Sequence, residues 1–191
     1  MISEVRVKEI LQETGALLQG HFLLSSGLHS DQYIQCARVF QYPRYAEEIC
    51  RALAEKFKPL QPDLCIGPAL GGVVIAYETA RALNVCGLFT ERDTDGTMTL
   101  RRGFQIKPQK RVLVLEDVVT TGGSVREVIK VVEQWGGEVC GVGALVDRSN
   151  GKVDFGVPFH ALMRLEINSY EPETCPLCQK GIPVVKPGSR K

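Results

Sequence analysis

Apolar positions recur along this chain in two rhythms, and the rhythms alternate. Val5, Ile10 and Leu11 mark one side of a short helix over residues 3–13, with Ser3 placed to cap its start. "HFLLSSGLHSDQYIQCARV" (21–39) breaks into two short strands about a turn at Gly27. Pro43 suits the first turn of a helix running from 43 to about 57. "PDLCIGP" (62–68) is a buried strand stopped by Gly67-Pro68, and "GGVVIAYETARAL" (71–83) is the helix after it. "VCGLFT" (85–90) is a third strand, after which apolar periodicity vanishes from Glu91 to Gly103. A strand over 112–115 and a helix over 123–135 follow, the helix closed by Gly136-Gly137. "EVCGVGALVD" (138–147) and "FHALMRLEI" (159–167) complete the series as strands.

Strands that are nearly all apolar and alternate with helices predict an α/β fold, a parallel sheet covered on both faces. Such sheets bind ligands beyond the carboxyl ends of their strands, at a switch point in strand order. Gly67, Thr90, Glu116, Asp117 and Asp147 all fall at predicted carboxyl ends, so their chemistry converges.

Composition narrows the classes without choosing among them. A chain of 191 residues, 44% hydrophobic and 24% charged, is ordinary for one soluble core with a small appendage. No apolar run approaches the roughly 20 residues that span a bilayer. "MISEVRVKEILQETG" lacks an apolar signal core, which points to the cytoplasm. A net charge of +1 argues against a bulk grip on nucleic acid, so any phosphate site is local. Seven cysteines, an odd number scattered through apolar runs, suit reduced core thiols better than a disulfide framework.

The sharpest signal is "RVLVLEDVVTTGGSVREVIKVVEQWGG" (111–137). Glu116 and Asp117 end an apolar strand, and Thr120-Thr121-Gly122-Gly123-Ser124 leads straight into a helix. Backbone amides in a glycine turn, backed by the positive end of a helix, cradle an anion, and phosphate is the natural guest. Two carboxylates repel phosphate but suit hydroxyls, a developing cation or hydrated Mg²⁺. A ribose 5-phosphate satisfies both halves. The stretch is neither a Walker loop, since no lysine follows Gly123, nor a dinucleotide G-x-G-x-x-G.

The same stretch resembles the phosphoribosyl diphosphate (PRPP) signature of type I phosphoribosyltransferases. "FLLSSGLHSDQYIQ" (22–35) is similar to the hood of the orotate-specific branch, "IGPALGGVVIA" (66–76) to its diphosphate loop, and "VDR" (146–148) to the end of its next strand. The resemblance implies a parallel-sheet phosphoribosyltransferase core over 1–170, a small N-terminal hood over about 15–40, and a Pro-rich tail over 171–191. It further implies transfer from PRPP to orotate in pyrimidine biosynthesis, Mg²⁺ as cofactor, and a homodimer whose lids act across the interface.

By residue match, PRPP would lie on Glu116, Asp117, Val118, Val119, Thr120, Thr121, Gly122, Gly123 and Ser124, and on Ala69, Leu70 and Gly71. Orotate would meet Thr120, Arg148 and Tyr33, a guanidinium being the natural partner of its carboxylate. Glu116 and Asp117, with Arg92, Arg101 and Arg102 in the aperiodic lid segment 91–103, would carry catalysis. No protein ligand to Mg²⁺ carries over; the ion would be bound mainly through PRPP. The pattern departs from the family in lysines, with Ser25 in the hood, Gly71 in the diphosphate loop and no lysine between Lys58 and Lys107. Two other readings stay open: a phosphoribosyltransferase for a purine base, and a PRPP-binding regulator without catalysis.

Cys175 and Cys178 form a C-x-x-C-x-x-G knuckle in the tail, a shape that favours metal. One knuckle supplies two thiolates where structural zinc takes four ligands. The rest would come from His160, another cysteine or a dimer mate. An extended Pro-rich tail with free thiols is the leading reading, and a metal site and a redox pair are the alternatives.

Overall fold

The computed structural model describes residues 2–24 and 26–187. Ser25, the hood position where the related pattern has lysine, lies outside them, as do the last four residues of the tail.

Helix α1 (Glu4–Glu13) starts where Ser3 accepts the Arg6 amide at 3.1 Å. Strands β1 (Leu17–Leu23) and β2 (His29–Ile34) form the expected antiparallel pair, with Gly27 at φ +87 in the turn. A four-residue helix, α2 (Ala37–Phe40), follows, too short to leave a periodic trace. Helix α3 (Pro43–Phe57) buries Tyr45, Ala46, Ile49, Cys50, Leu53, Ala54 and Phe57, one stripe at helical spacing.

The core sheet comprises β3 (Leu64–Pro68), β4 (Cys86–Arg92), β5 (Met98–Thr99), β6 (Arg111–Val119), β7 (Glu138–Asp147) and β8 (Phe159–Arg164), in the order β5-β4-β3-β6-β7-β8. All neighbours are parallel except β4 and β5. Helix α4 (Gly71–Leu83) joins β3 to β4, and α5 (Gly123–Gln134) joins β6 to β7. Successive side chains of a strand point to opposite faces. On β6, Leu113 and Leu115 accordingly enter the core shared with α1, α3 and α4, while Val112 and Val114 enter the core under α5. Both faces are covered, which is why the strands read as unbroken apolar runs.

Two expectations need correction. Strand β6 runs on through Glu116 and Asp117 to Val119, because its ladder with β7 continues to the pair Val119↔Asp147 whatever the side chains are. The tail is not extended. Strand β9 (Ser169–Tyr170) pairs with β2, and a short turn (Pro172–Thr174) leads to helix α6 (Pro176–Gln179). Val185 then exchanges backbone bonds with His21 and Leu23, at 2.8 and 2.9 Å. The tail thus forms part of the hood.

The chain passes from β3 outward to β4 and then back across β3 to β6. The switch point therefore lies between β3 and β6, flanked by the loop after β3 and the loop after β6.

Candidate active site

Loop 120–124 turns from β6 into α5 through Gly122, whose φ of +76 is left-handed. A Cβ there would sit 2.8 Å from the Phe155 ring, so both conformation and space require glycine. No side chain caps α5, leaving the amides of its first turn to an outside acceptor. Thr120, Thr121 and Gly123 are exposed and Ser124 is half-buried. A cleft of about 500 Å³ opens here, lined by Glu116, Val118, Val119 and the whole of loop 120–124, with Arg92 across from them. Lys130, two turns into α5, also lines it and was missed by the motif reading. Its signal was helical spacing, three residues from Glu127 and seven from Gly123, rather than adjacency to the loop.

The two acids are placed differently. Glu116 is buried and lines the cleft. Asp117 meets the other loop: a Cβ on Gly71 would stand 2.8 Å from its carboxylate. Burial pushes the Asp117 carboxyl above its ordinary range, while Glu116 and the Val118 amide, 2.7 Å from Oδ1, pull it back.

The loop after β3 is drawn equally close. A Cβ on Gly67 would lie 2.4 Å from the Gly72 carbonyl oxygen, so only glycine lets strand and helix meet. Ala69 donates its amide to the Thr90 carbonyl at 2.8 Å, and the Ala69–Leu70 peptide is cis. Leu70 and Gly71 are exposed. Asp147, by contrast, is buried and does not line the cleft; it accepts the Ser149 amide at 2.8 Å and lies 3.9 Å from Arg164.

Arg148 follows β7, its amide held by the Val119 carbonyl at 2.8 Å. Its Nε is buried and has no hydrogen-bond partner among the described residues. Burial lowers its pKa, partly offset by the nearby Tyr33 and Cys36. Tyr33, from hood strand β2, is raised by burial and by Asp117 and lowered by Arg148. Hood, β6 and β7 thus bring Tyr33, Asp117 and Arg148 into one electrostatic neighbourhood. Cys36, buried beneath them and pushed well up, is a neutral thiol.

Segment 91–103 is a folded hairpin: Glu91 and Arg92 on β4 pair with Thr99 and Met98 on β5. Of its three arginines only Arg92 reaches the cleft, where it binds Glu127 of α5 at 2.5 and 3.1 Å. Arg102 pairs with Glu91 at 2.7 Å, and Arg101 stands 3.8 Å from Asp93. These two are held within the hairpin and outside the cleft.

The tail cysteines lie elsewhere again. Cys175 and Cys178 face His21 and His29 of the hood. The expected partner His160 instead packs edge-on against Phe57, with ring centroids 5.5 Å apart.

Residues 37–155 match a sequence family described as the phosphoribosyl transferase domain. The chain is 60% identical over 186 residues to the orotate phosphoribosyltransferase of Caldanaerobacter subterraneus subsp. tengcongensis, covering 97% of each. It is 54% identical over 184 residues to that of Thermotoga maritima, covering 96% of this chain and 98% of the other. Among solved structures, orotate phosphoribosyltransferase from Aeropyrum pernix aligns with a TM-score of 0.69 at 28% identity, over 83% of this chain and 93% of that one.

Proposed function

This chain belongs to the orotate phosphoribosyltransferases, and from that premise we propose how its residues carry the transfer of a phosphoribosyl group from PRPP to orotate, yielding orotidine 5'-monophosphate and diphosphate for pyrimidine synthesis. The observation that carries the reading is the pair of loops at the switch point. One offers an uncapped helix start, the other approaches Asp117 as closely as glycine allows.

Loop 120–124 and the first amides of α5 hold the 5'-phosphate, with Thr120, Thr121 and Ser124 adding hydroxyl donors. Glu116 and Asp117 face the ribose hydroxyls. Ala69, Leu70 and Gly71 present backbone to the diphosphate. Arg148 takes the orotate carboxylate, which supplies the partner its buried Nε lacks among the described residues. Tyr33 and Thr120 complete the base pocket.

Orotate is already an anion and needs little activation. The protein's task is to position it against the anomeric carbon and stabilise positive charge growing on the ribose ring. Asp117 is suited to this because burial leaves its negative charge poorly solvated until a cation develops beside it. The two carboxylates are hard oxygen donors that fit the water shell of Mg²⁺. When bound, the ion would supply charge neutralisation for the leaving diphosphate. The hairpin 91–103 excludes water, with Arg92 on the cleft and Arg101 and Arg102 acting after it moves.

The assembly is a homodimer in the cytoplasm. Leu70, Val74 and Tyr77 form an exposed apolar stripe along α4 that suits a second copy, and seven unpaired thiols suit a reducing compartment. No described helix is long and apolar enough to cross a membrane.

The test is turnover with PRPP and Mg²⁺ against a panel of bases. Orotate absorbance should fall only when PRPP is present. Turnover of adenine or hypoxanthine without orotate would overturn the base assignment, and no turnover at all would leave a binding module.

A further inference from the structure

Four side chains that the transfer does not use converge at the base of the hood. His21 is 3% exposed, His29 7% and Cys175 0%, and Cys178 closes the group from the surface. One ligand atom from each lies within 4.8 Å of every other. Cys178 Sγ is 3.3 Å from His29 Nδ1 and 3.8 Å from His21 Nε2, and Cys175 Sγ is 3.5 Å from His21 Nε2.

We propose that His21, His29, Cys175 and Cys178 form a structural Zn²⁺ site that clamps the C-terminal tail onto the hood.

The geometry fits a tetrahedral ion. Zinc bonds of about 2.0 Å to nitrogen and 2.3 Å to sulfur place neighbouring ligand atoms about 3.3–3.8 Å apart. The nitrogen–sulfur separations already lie in that range. The two imidazole nitrogens, 2.8 Å apart, would part by about half an ångström around the ion.

Protonation supports the same reading. His21 Nδ1 is 2.7 Å from the Ile182 carbonyl, which can only accept. Nδ1 therefore carries the hydrogen, and Nε2 presents its lone pair to the other three groups. A ligating histidine fixed through its far nitrogen by a carbonyl is the usual outer support of a metal site. Two thiols and two imidazoles also make a donor set that selects zinc over the hard cations.

Four protein ligands leave no open position, so the role is structural. None of the four lines the active-site cleft. What the ion would join is otherwise thinly held: a three-stranded sheet in which β9 contributes two residues, and a tail secured by a few backbone bonds. Small substructures of this kind commonly need a staple. A hairpin and a segment some 150 residues later become one unit.

The site is tested on the full chain without substrates, which separates it from the proposed transfer. Protein from zinc-supplemented cells should hold about one zinc per chain by elemental analysis. Cys178→Ser and the double change Cys175→Ser, Cys178→Ser should lose it, while Cys86→Ser, an exposed thiol elsewhere, should keep it. The apo wild-type protein titrated with Co²⁺ should develop thiolate-to-cobalt charge transfer and the intense visible bands of a tetrahedral ion, both abolished by added Zn²⁺. His29→Gln should weaken them even if the cysteine variants fold poorly. Wild-type protein without zinc and without the cobalt bands would overturn the proposal. So would zinc retained by the double variant, or a Cys175–Cys178 disulfide in metal-free protein purified under reducing conditions.

Discussion

Burial holds the Asp117 carboxyl above its ordinary pKa, so the folded chain binds that proton more tightly than the unfolded chain does. Ionising it therefore weakens the fold as pH climbs from the unfolded carboxylate value of about 3.9 through the raised folded one. Asp117→Asn removes the buried charge but keeps an oxygen for the Val118 amide. It should raise Tm at pH 7, with the gain shrinking below about pH 4, while kcat falls about a hundredfold or more. Melting curves at both pH values beside steady-state rates check this. A lower Tm with kcat within a few-fold of wild type would make the acid structural. Arg148 is the complementary case, a cation whose buried Nε has no partner among the described residues. Arg148→Ala should raise KM for orotate about thirtyfold, the equivalent of about 2 kcal/mol for a lost charged hydrogen bond, and leave KM for PRPP nearly unchanged. Equal effects on both substrates would move Arg148 out of the base pocket.

Helix α5 and its loop work as one element, because Gly122 sets the direction in which the first amides point. In Gly122→Ala a left-handed backbone and a Cβ against Phe155 act together. A loss of about 1–3 kcal/mol in stability is expected, with KM for PRPP rising more than KM for orotate. Denaturant titration and substrate kinetics measure the two effects, and an alanine variant unchanged in both would mean the loop needs no fixed geometry. This element was legible beforehand because glycines, hydroxyls and an amphipathic run stand next to one another in sequence. The same holds for α3 and α4, whose buried stripes recur at helical spacing. Where features were short or distant, local pattern carried little. Neither α2 nor β9 is long enough to show a period. Strand β6 outran its apolar stretch because ladder bonds are made by backbone. Arginines in 91–103 could be counted, but only the fold reveals that Glu91, Asp93 and Glu127 engage them. His21 and His29 gave no local sign of Cys175, because their meeting depends on hairpin register and on the tail folding back.

At the scale of the whole molecule, the proposed homodimer bears on where the lid arginines act. Arg101 and Arg102 stand outside the cleft, each beside an acid of its own hairpin. The Arg101–Asp93 pair is long and exposed on both sides, and such pairs contribute only about 0–1 kcal/mol, so little holds Arg101 where it is, whereas Arg102 must give up a two-pronged contact with Glu91 to move. The loop that would receive diphosphate has Gly71 where a lysine would have supplied charge. Leu70 belongs to that same loop and begins the exposed apolar stripe that Val74 and Tyr77 continue on α4, the surface proposed for a second copy. If lids serve the neighbouring site, two inactive variants should complement each other. Asp117→Asn removes the acid and keeps the lid; Arg101→Ala with Arg102→Ala does the reverse. After subunit exchange, one of the two sites in each heterodimer would combine an intact acid pair with an intact lid, and activity should reappear as mixed dimers form. Rates followed alongside heterodimer content, read by differential tags, make the measurement. No recovery with heterodimers verified would assign each lid to its own subunit, and a chain that sediments as a monomer at assay concentration would end the trans arrangement altogether.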